Sequence, residues 1–402
     1  MAGVAGNHRL ERLAELTVSV GANVQPGQLV VINGLLGNAP LMREIARAAY
    51  RAGARRVESQ YIDRHFRRAL IEIGPEESLG QSMPWDLVML KTLRQEKGCF
   101  IQVSGDPEPH LLSDLPGDKV GKAGPREFRA EWLDMVTDKA VNWTIVPAPT
   151  PAWAEQIFGK PDMEALWSVV EKALRLDRPD PAKAWRDHLA RLDRIASALN
   201  EKRFDSLRYR GPGTDLVVGL LPNSQWSGGD DETSFGVKHV ANLPTEEVFT
   251  SPDCRRAEGH IRSTRPLEMR GTVVKDLAFE FHDGRITNVS ASSGEDVVRG
   301  ELAVDQNASH LGEVALVDGS SEVGKLGLIF ANTLFDENAT SHLAYGAGFG
   351  FCVDDEADRA VGLNHSAVHT DFMVGGPEVD VDGRDAGGAW IPILRHNEFQ
   401  MG

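Results

Sequence analysis

Apolar residues recur three and four positions apart at Leu10, Leu13, Leu16 and Val20, the period of a short amphipathic helix. The pattern then shifts. QPGQLVVING gives a turn and a continuous apolar run at Leu29 to Ile32, which reads as a buried strand; PLMREIARAAYRAGARR restores the helical period, and VESQYI follows as a second strand. The unit repeats: WDLVMLKTLRQEKG and PREFRAEWLDMVTDKA read as helices, CFIQVSG and VNWTIVPAP as strands, and PAWAEQIFG as a further short helix. Such alternation builds a parallel sheet covered on both faces. From Pro161 to Phe204 the chain is helical, interrupted only by Asp-Arg-Pro-Asp-Pro at 177–181. Beyond it lie short strands set off by Gly, Pro and Asp turns, namely SLRYRG, TDLVVGLL, GTVVKDLAFEF and GRITNVSA, with a hairpin expected at HDGR. The pattern predicts an α/β N-terminal domain with a mostly parallel sheet over 1–187, and a mixed α+β C-terminal domain over 188–402.

Composition narrows the function without naming it. At 402 residues the chain is long enough for two domains, each with its own core. The formal net charge of -16 argues against a nucleic-acid surface and against an anionic membrane surface. The basic cluster Arg51, Arg55 and Arg56 is expected to be a solvated face. NGLLGNAP, the first strand-to-helix loop, lacks both GxGxxG and GKS/GKT, so its glycines are read as turn residues. Three scattered cysteines give no disulfide framework, and neither a signal peptide nor an apolar span of about 18 residues is found. A cytoplasmic protein is the expectation.

Candidate chemistry concentrates between Asp336 and Asp371, where DENATSHLAYG and NHSAVHTD bring three histidines close to Asp336, Glu337 and Asp371. Mixed imidazole and carboxylate donors suit zinc, cobalt, manganese or iron(II). DDEAD at 354–358 is read as a solvated loop. His369 and Asp371, two apart, share a face if they lie on a strand. Upstream, Glu313 in LGEVALV is either a paired or metal-bound carboxylate, or the polar position of an amphipathic strand. In NLPTEEVFT the spacing does not choose between Glu246 and Glu247. Trp226 is placed in the core, and His239, His260, His282, His310 and His365 at the surface or behind the site.

Taken together, NLPTEEVFT, LGEVALV, LFDENA followed by SH, and VHTD followed by EVDVDG resemble the M29 family of metallo-aminopeptidases in order, spacing and wording. The resemblance implies hydrolysis of the N-terminal peptide bond of peptides by a C-terminal catalytic domain. It also implies two divalent ions (Zn, Co or Mn) held by Glu247, Glu313, Glu337, His342, His369 and Asp371, and a homodimer. Glu313 is the expected bridging carboxylate, with Glu247 or Glu337 as general base. One position departs: the family tyrosine seven residues after His342 is here Phe349. Tyr345, three residues after His342, is expected to substitute for it if the stretch is helical. The competing readings are a mononuclear iron(II) ring-cleaving dioxygenase of the dihydroxypyridine dioxygenase type, built on His342, His369 and Asp371, and a non-catalytic scaffold.

Overall fold

The computed structural model describes residues 2–269 and 272–401. The chain forms two compact units, the first comprising Met1–Trp185 with Asp230–Leu243, the second Arg186–Gly229 with Pro244–Gly402. The division falls within one helix, and the excursion of Asp230–Leu243 into the first unit has no marker in the sequence.

In the first unit, strands β1 (Leu29–Leu35), β2 (Arg56–Ile62), β3 (Cys99–Ser104) and β4 (Asn142–Pro147) form a wholly parallel sheet in the order β2-β1-β3-β4. Helices α1 (Ala2–Leu16), α2 (Ala39–Arg51), α3 (Arg64–Ile73), α4 (Pro84–Glu96), α5 (Arg126–Thr137), α6 (Pro151–Phe158) and α7 (Met163–Ala173) occupy the intervening chain. Val31 packs with Leu90, Leu93, Phe100 and Met135 on the α4 and α5 side, while its neighbours Val30 and Ile32 point to the other face and are equally buried. Burial on both faces explains why β1 reads as an unbroken apolar run. The edge strand β2 is largely exposed. Arg51, Arg55 and Arg56 pair with Glu15, Glu96 and Glu58, so the basic cluster is neutralised locally.

Helix α8 (Pro181–Lys202) begins with proline at its first turn, where no N–H is needed, and the Asp180 carboxylate caps it by accepting from the Lys183 N–H at 2.9 Å. The second unit then builds an eight-stranded antiparallel sheet around the hairpin of Ser206–Gly211 and Thr214–Leu220. GTVVKDLAFEF is divided into Thr272–Val274 and Ala278–His282 by a turn in which Asp276 takes φ of 52°. The hairpin at HDGR is present, with Asp283 and Gly284 at φ of 47° and 80°. A second antiparallel sheet of five strands carries most of the candidate donors. Trp226 lies in the core between these elements, whereas His239 departs from expectation: it is buried in the first unit, its ring 6.3 Å from that of Trp143.

Candidate metal centre

Four strands of the five-stranded sheet, β5 (Val248–Thr250), β6 (Leu311–Leu316), β7 (His342–Gly346) and β8 (His369–Met373), run antiparallel in the order β8-β7-β6-β5. Register sets Ala315 opposite both Phe249 and His342, Glu313 opposite Ala344, and Ala344 opposite Asp371. Side chains alternate between faces along each strand, so Glu313, His342, Asp371, His369 and Phe249 emerge on one side. Val248, Val314, Leu316, Leu343, Tyr345 and Phe372 emerge on the other, inside the main core.

Leu311 and Glu313 would share a face in a regular strand. A bulge separates them: Leu311 pairs with Tyr345 and Glu313 with the adjacent Ala344, so two steps on β6 match one on β7. Leu311 therefore enters the core while Glu313 faces the site. Glycine is required there, since a Cβ on Gly312 would sit 2.2 Å from the Ala347 carbonyl oxygen. Gly346, at φ of 98°, similarly lets the Val368 carbonyl approach opposite His369.

The donors form two overlapping groups. Glu247, Glu313 and His342 have donor atoms within 4.8 Å of one another, as do Glu313, His369 and Asp371. Glu313 belongs to both. The His342 Nε2 lies 3.0 Å from Glu247 Oε2 and 4.0 Å from Asp371 Oδ1; the His369 Nε2 lies 3.1 Å from Glu313 Oε2 and 3.5 Å from Asp371 Oδ1. Glu337 is in neither group, but it borders a small cavity with Asp371 and Leu267. Burial of Glu313 throughout β6 overturns the alternative that it is the solvent-facing position of an amphipathic strand.

The electrostatics describe a site short of positive charge. Burial, then Asp371 and Glu247, push the Glu337 carboxyl well above the usual carboxylate range. Burial also raises Glu313. Burial alone would depress the His342 imidazole, but Glu247 beside it more than offsets that and lifts it to about 10. His369, whose side chain is partly exposed, is raised by Asp371 and Glu313 against partial desolvation. Oε2 of Glu247 and Oδ1 of Asp371 are buried and face the imidazoles of His342 and His369 without a well-aligned hydrogen bond, an arrangement that divalent cations would satisfy better. The donor set thus fits divalent ions of the zinc, cobalt and manganese type.

Residues behind the donors fix their positions. Alternation within NLPTEEVFT separates the glutamates: Glu246 is buried with His188 of α8 at 3.4 Å, while the Glu246 N–H donates to Asn338 Oδ1 at 2.7 Å, leaving Glu247 for the site. The His188 ring nitrogen also meets the Thr245 carbonyl at 2.9 Å. Asp336 belongs to neither donor group and accepts backbone N–H bonds from Phe330 and Asn332; its burial pushes it up to about 6.

Tyr345 requires a correction. Its stretch is a strand rather than a helix, so period two turns it away from His342. Its ring packs with Phe279 and Phe372 at 5.9 and 6.3 Å, and its hydroxyl donates to Glu301 at 2.6 Å. Glu301, on helix α9 (Glu295–Leu302), also accepts from the Thr370 hydroxyl at 2.8 Å, bracing the far side of β7 and β8. Sequence reasoning missed this brace because Glu301 lies in an ordinary amphipathic helix. Phe349 lies against His369, ring to ring at 5.1 Å.

A profile of the family described as thermophilic metalloprotease (M29) matches residues 6–399. The chain is 40% identical over 405 residues to Aminopeptidase T of Thermus thermophilus, covering 98% of this chain and 99% of that one. It is 33% identical to Aminopeptidase AmpS of Bacillus subtilis, covering 98% of each. The solved structure of wild-type AmpT from Thermus thermophilus superposes with a TM-score of 0.91 at 38% identity, over 98% of this chain and 99% of that one. On these grounds the chain belongs to the M29 family of metalloproteases.

Proposed function

We propose that the protein is an aminopeptidase that removes N-terminal residues from peptides with the help of two divalent ions, zinc, cobalt or manganese. The observation that carries this reading is the double membership of Glu313 in two donor triads, which suits a carboxylate shared by two ions. Glu247 and His342 would complete one site, and His369 and Asp371 the other. Ions held there would supply an activated water and polarise the scissile carbonyl. Glu337 stands outside both triads but shares a small cavity with Asp371, which suits a group beside the ions that would take a proton from the water and pass it to the leaving amine. Among the wider proposals are a catalytic role for 188–402, a homodimer and a cytoplasmic location; no described helix is long and apolar enough to cross a membrane.

Against a mononuclear iron centre, His342 lies closer to Glu247 than to Asp371, so His342, His369 and Asp371 do not stand apart as a triad. Metal analysis combined with a panel of aminoacyl amides tests the proposal. About two ions per chain with release of N-terminal residues is the expected result. One iron with oxygen uptake, or no metal and no hydrolysis, would overturn it.

A further inference from the structure

Beside the donors stands a group of three phenylalanines. Phe249 projects from β5 on the face that carries Glu313 and His342. Phe349 and Phe351 come from the turn after β7. Phe249 meets Phe349 at 5.7 Å and 74° and Phe351 at 6.2 Å and 90°, while Phe349 and Phe351 stack at 5.4 Å and 26°. These are favourable edge and offset geometries, in which each ring restrains the others. All three are only half-buried, unlike the aromatic residues on the opposite face.

The turn that carries two of the rings is held firmly. The Phe349 N–H donates to the Ser251 hydroxyl at 2.7 Å, and the Cys352 N–H donates to the Phe349 carbonyl at 3.0 Å. Ser251 itself is fully buried. The cluster is thus a preformed apolar surface, in contact with the donors through the imidazole of His369. Because position 349 carries no hydroxyl, that surface is hydrocarbon up to the imidazole.

Resting on the aminopeptidase reading, we propose that Phe249, Phe349 and Phe351 wall the subsite for the side chain of the substrate's N-terminal residue, and select large apolar and aromatic side chains. The reacting carbonyl has to lie at the donor cluster, and the side chain attached one bond away then lies alongside it. A rigid wall of rings flush with His369 offers a large side chain apolar area at little entropic cost. Glycine or alanine would leave the wall exposed to water.

The test uses the full-length, metal-loaded protein with phenylalanyl, leucyl, alanyl and arginyl amides. Wild type should favour the phenylalanyl and leucyl amides, and Phe349→Ala and Phe249→Ala should each reduce that preference over alanine by roughly tenfold or more. Phe349→Tyr, which keeps the ring, should largely retain it. Metal content and melting temperature of each variant report whether the centre and fold are intact. An unchanged phenylalanyl-to-alanyl ratio in both alanine variants, an equal loss on every amide, or a wild-type preference for arginyl amide would overturn the subsite while leaving the aminopeptidase standing. Failure of metal-loaded wild type to cleave any amide would instead overturn the aminopeptidase reading, and the subsite with it.

Discussion

The two faces of the sheet formed by β5 to β8 come from alternate residues of the same strands, yet they follow opposite rules. One face gathers Glu247, Glu313, His342, His369 and Asp371, with three carboxylates crowded around two imidazoles. The other gathers Val314, Leu343, Phe372 and Tyr345 in close packing, and its polar groups, Glu301, Thr370 and the Tyr345 hydroxyl, are mutually bonded. The first face holds charges together at a cost to stability; the second provides the rigidity that makes this tolerable. A strand buried on both sides can thus separate function from packing within one residue step.

The largest effect is expected from breaking the functional face at its shared member. Glu313→Gln should lower kcat/KM by about 10³-fold or more, consistent with loss of a group central to charge stabilisation, and should lower metal content. Activity within tenfold of wild type would remove Glu313 from its shared role. The opposing face should respond in stability rather than chemistry. Phe372→Ala should cost about 3–5 kcal/mol in denaturant unfolding, with turnover per folded molecule little changed.

A subtler contrast emerges once metal is stripped with a chelator. His342 and His369 have raised pKa values in the folded protein, so their stabilising contribution is fully present below their unfolded pKa and is lost as pH rises through the folded values, about 10 for His342. Raised Glu313 and Glu337 act in the same direction, because the folded state holds their protons more tightly. The metal-free protein should therefore melt at progressively lower temperature as pH rises from 6.5 towards 10, and added zinc should restore it. A flat profile would contradict the proposed charge balance. Glu337→Gln should raise the melting temperature of the metal-free protein at neutral pH while depressing turnover.

The smallest effect should come from the brace. Tyr345→Phe leaves Glu301 one donor short and should cost about 1–3 kcal/mol of stability, with turnover per folded molecule near wild type. A large selective loss of turnover would return Tyr345 to the chemistry.

The α/β pattern of the first unit was legible because β1, β3 and β4 alternate with helices at two clearly different periods. The donor residues were legible only through the wording around them. LGEVALV cannot reveal which way Glu313 points, since apolar neighbours occur on both faces of a doubly buried strand. HLAYG, five residues long, is too short for its period to be read, so the sequence leaves open whether Tyr345 lies on a helix or, as found, on a strand. Glu246 and Glu247 are equivalent in composition and differ only in which side of the chain they leave. Glu301 and Phe249 gave no signal, because their partners lie far away in sequence.

The bulge at Gly312 bears on how this sheet can change over time. A strand keeps account of its faces by parity, and the bulge resets that parity once, between Leu311 and Glu313. Deleting a single residue there would exchange the two inventories, sending a carboxylate into hydrocarbon or a leucine among the donors. Point substitutions can tune the site gradually, but a change of length in β6 cannot, so loops rather than this strand are where the chain is free to lengthen or shorten.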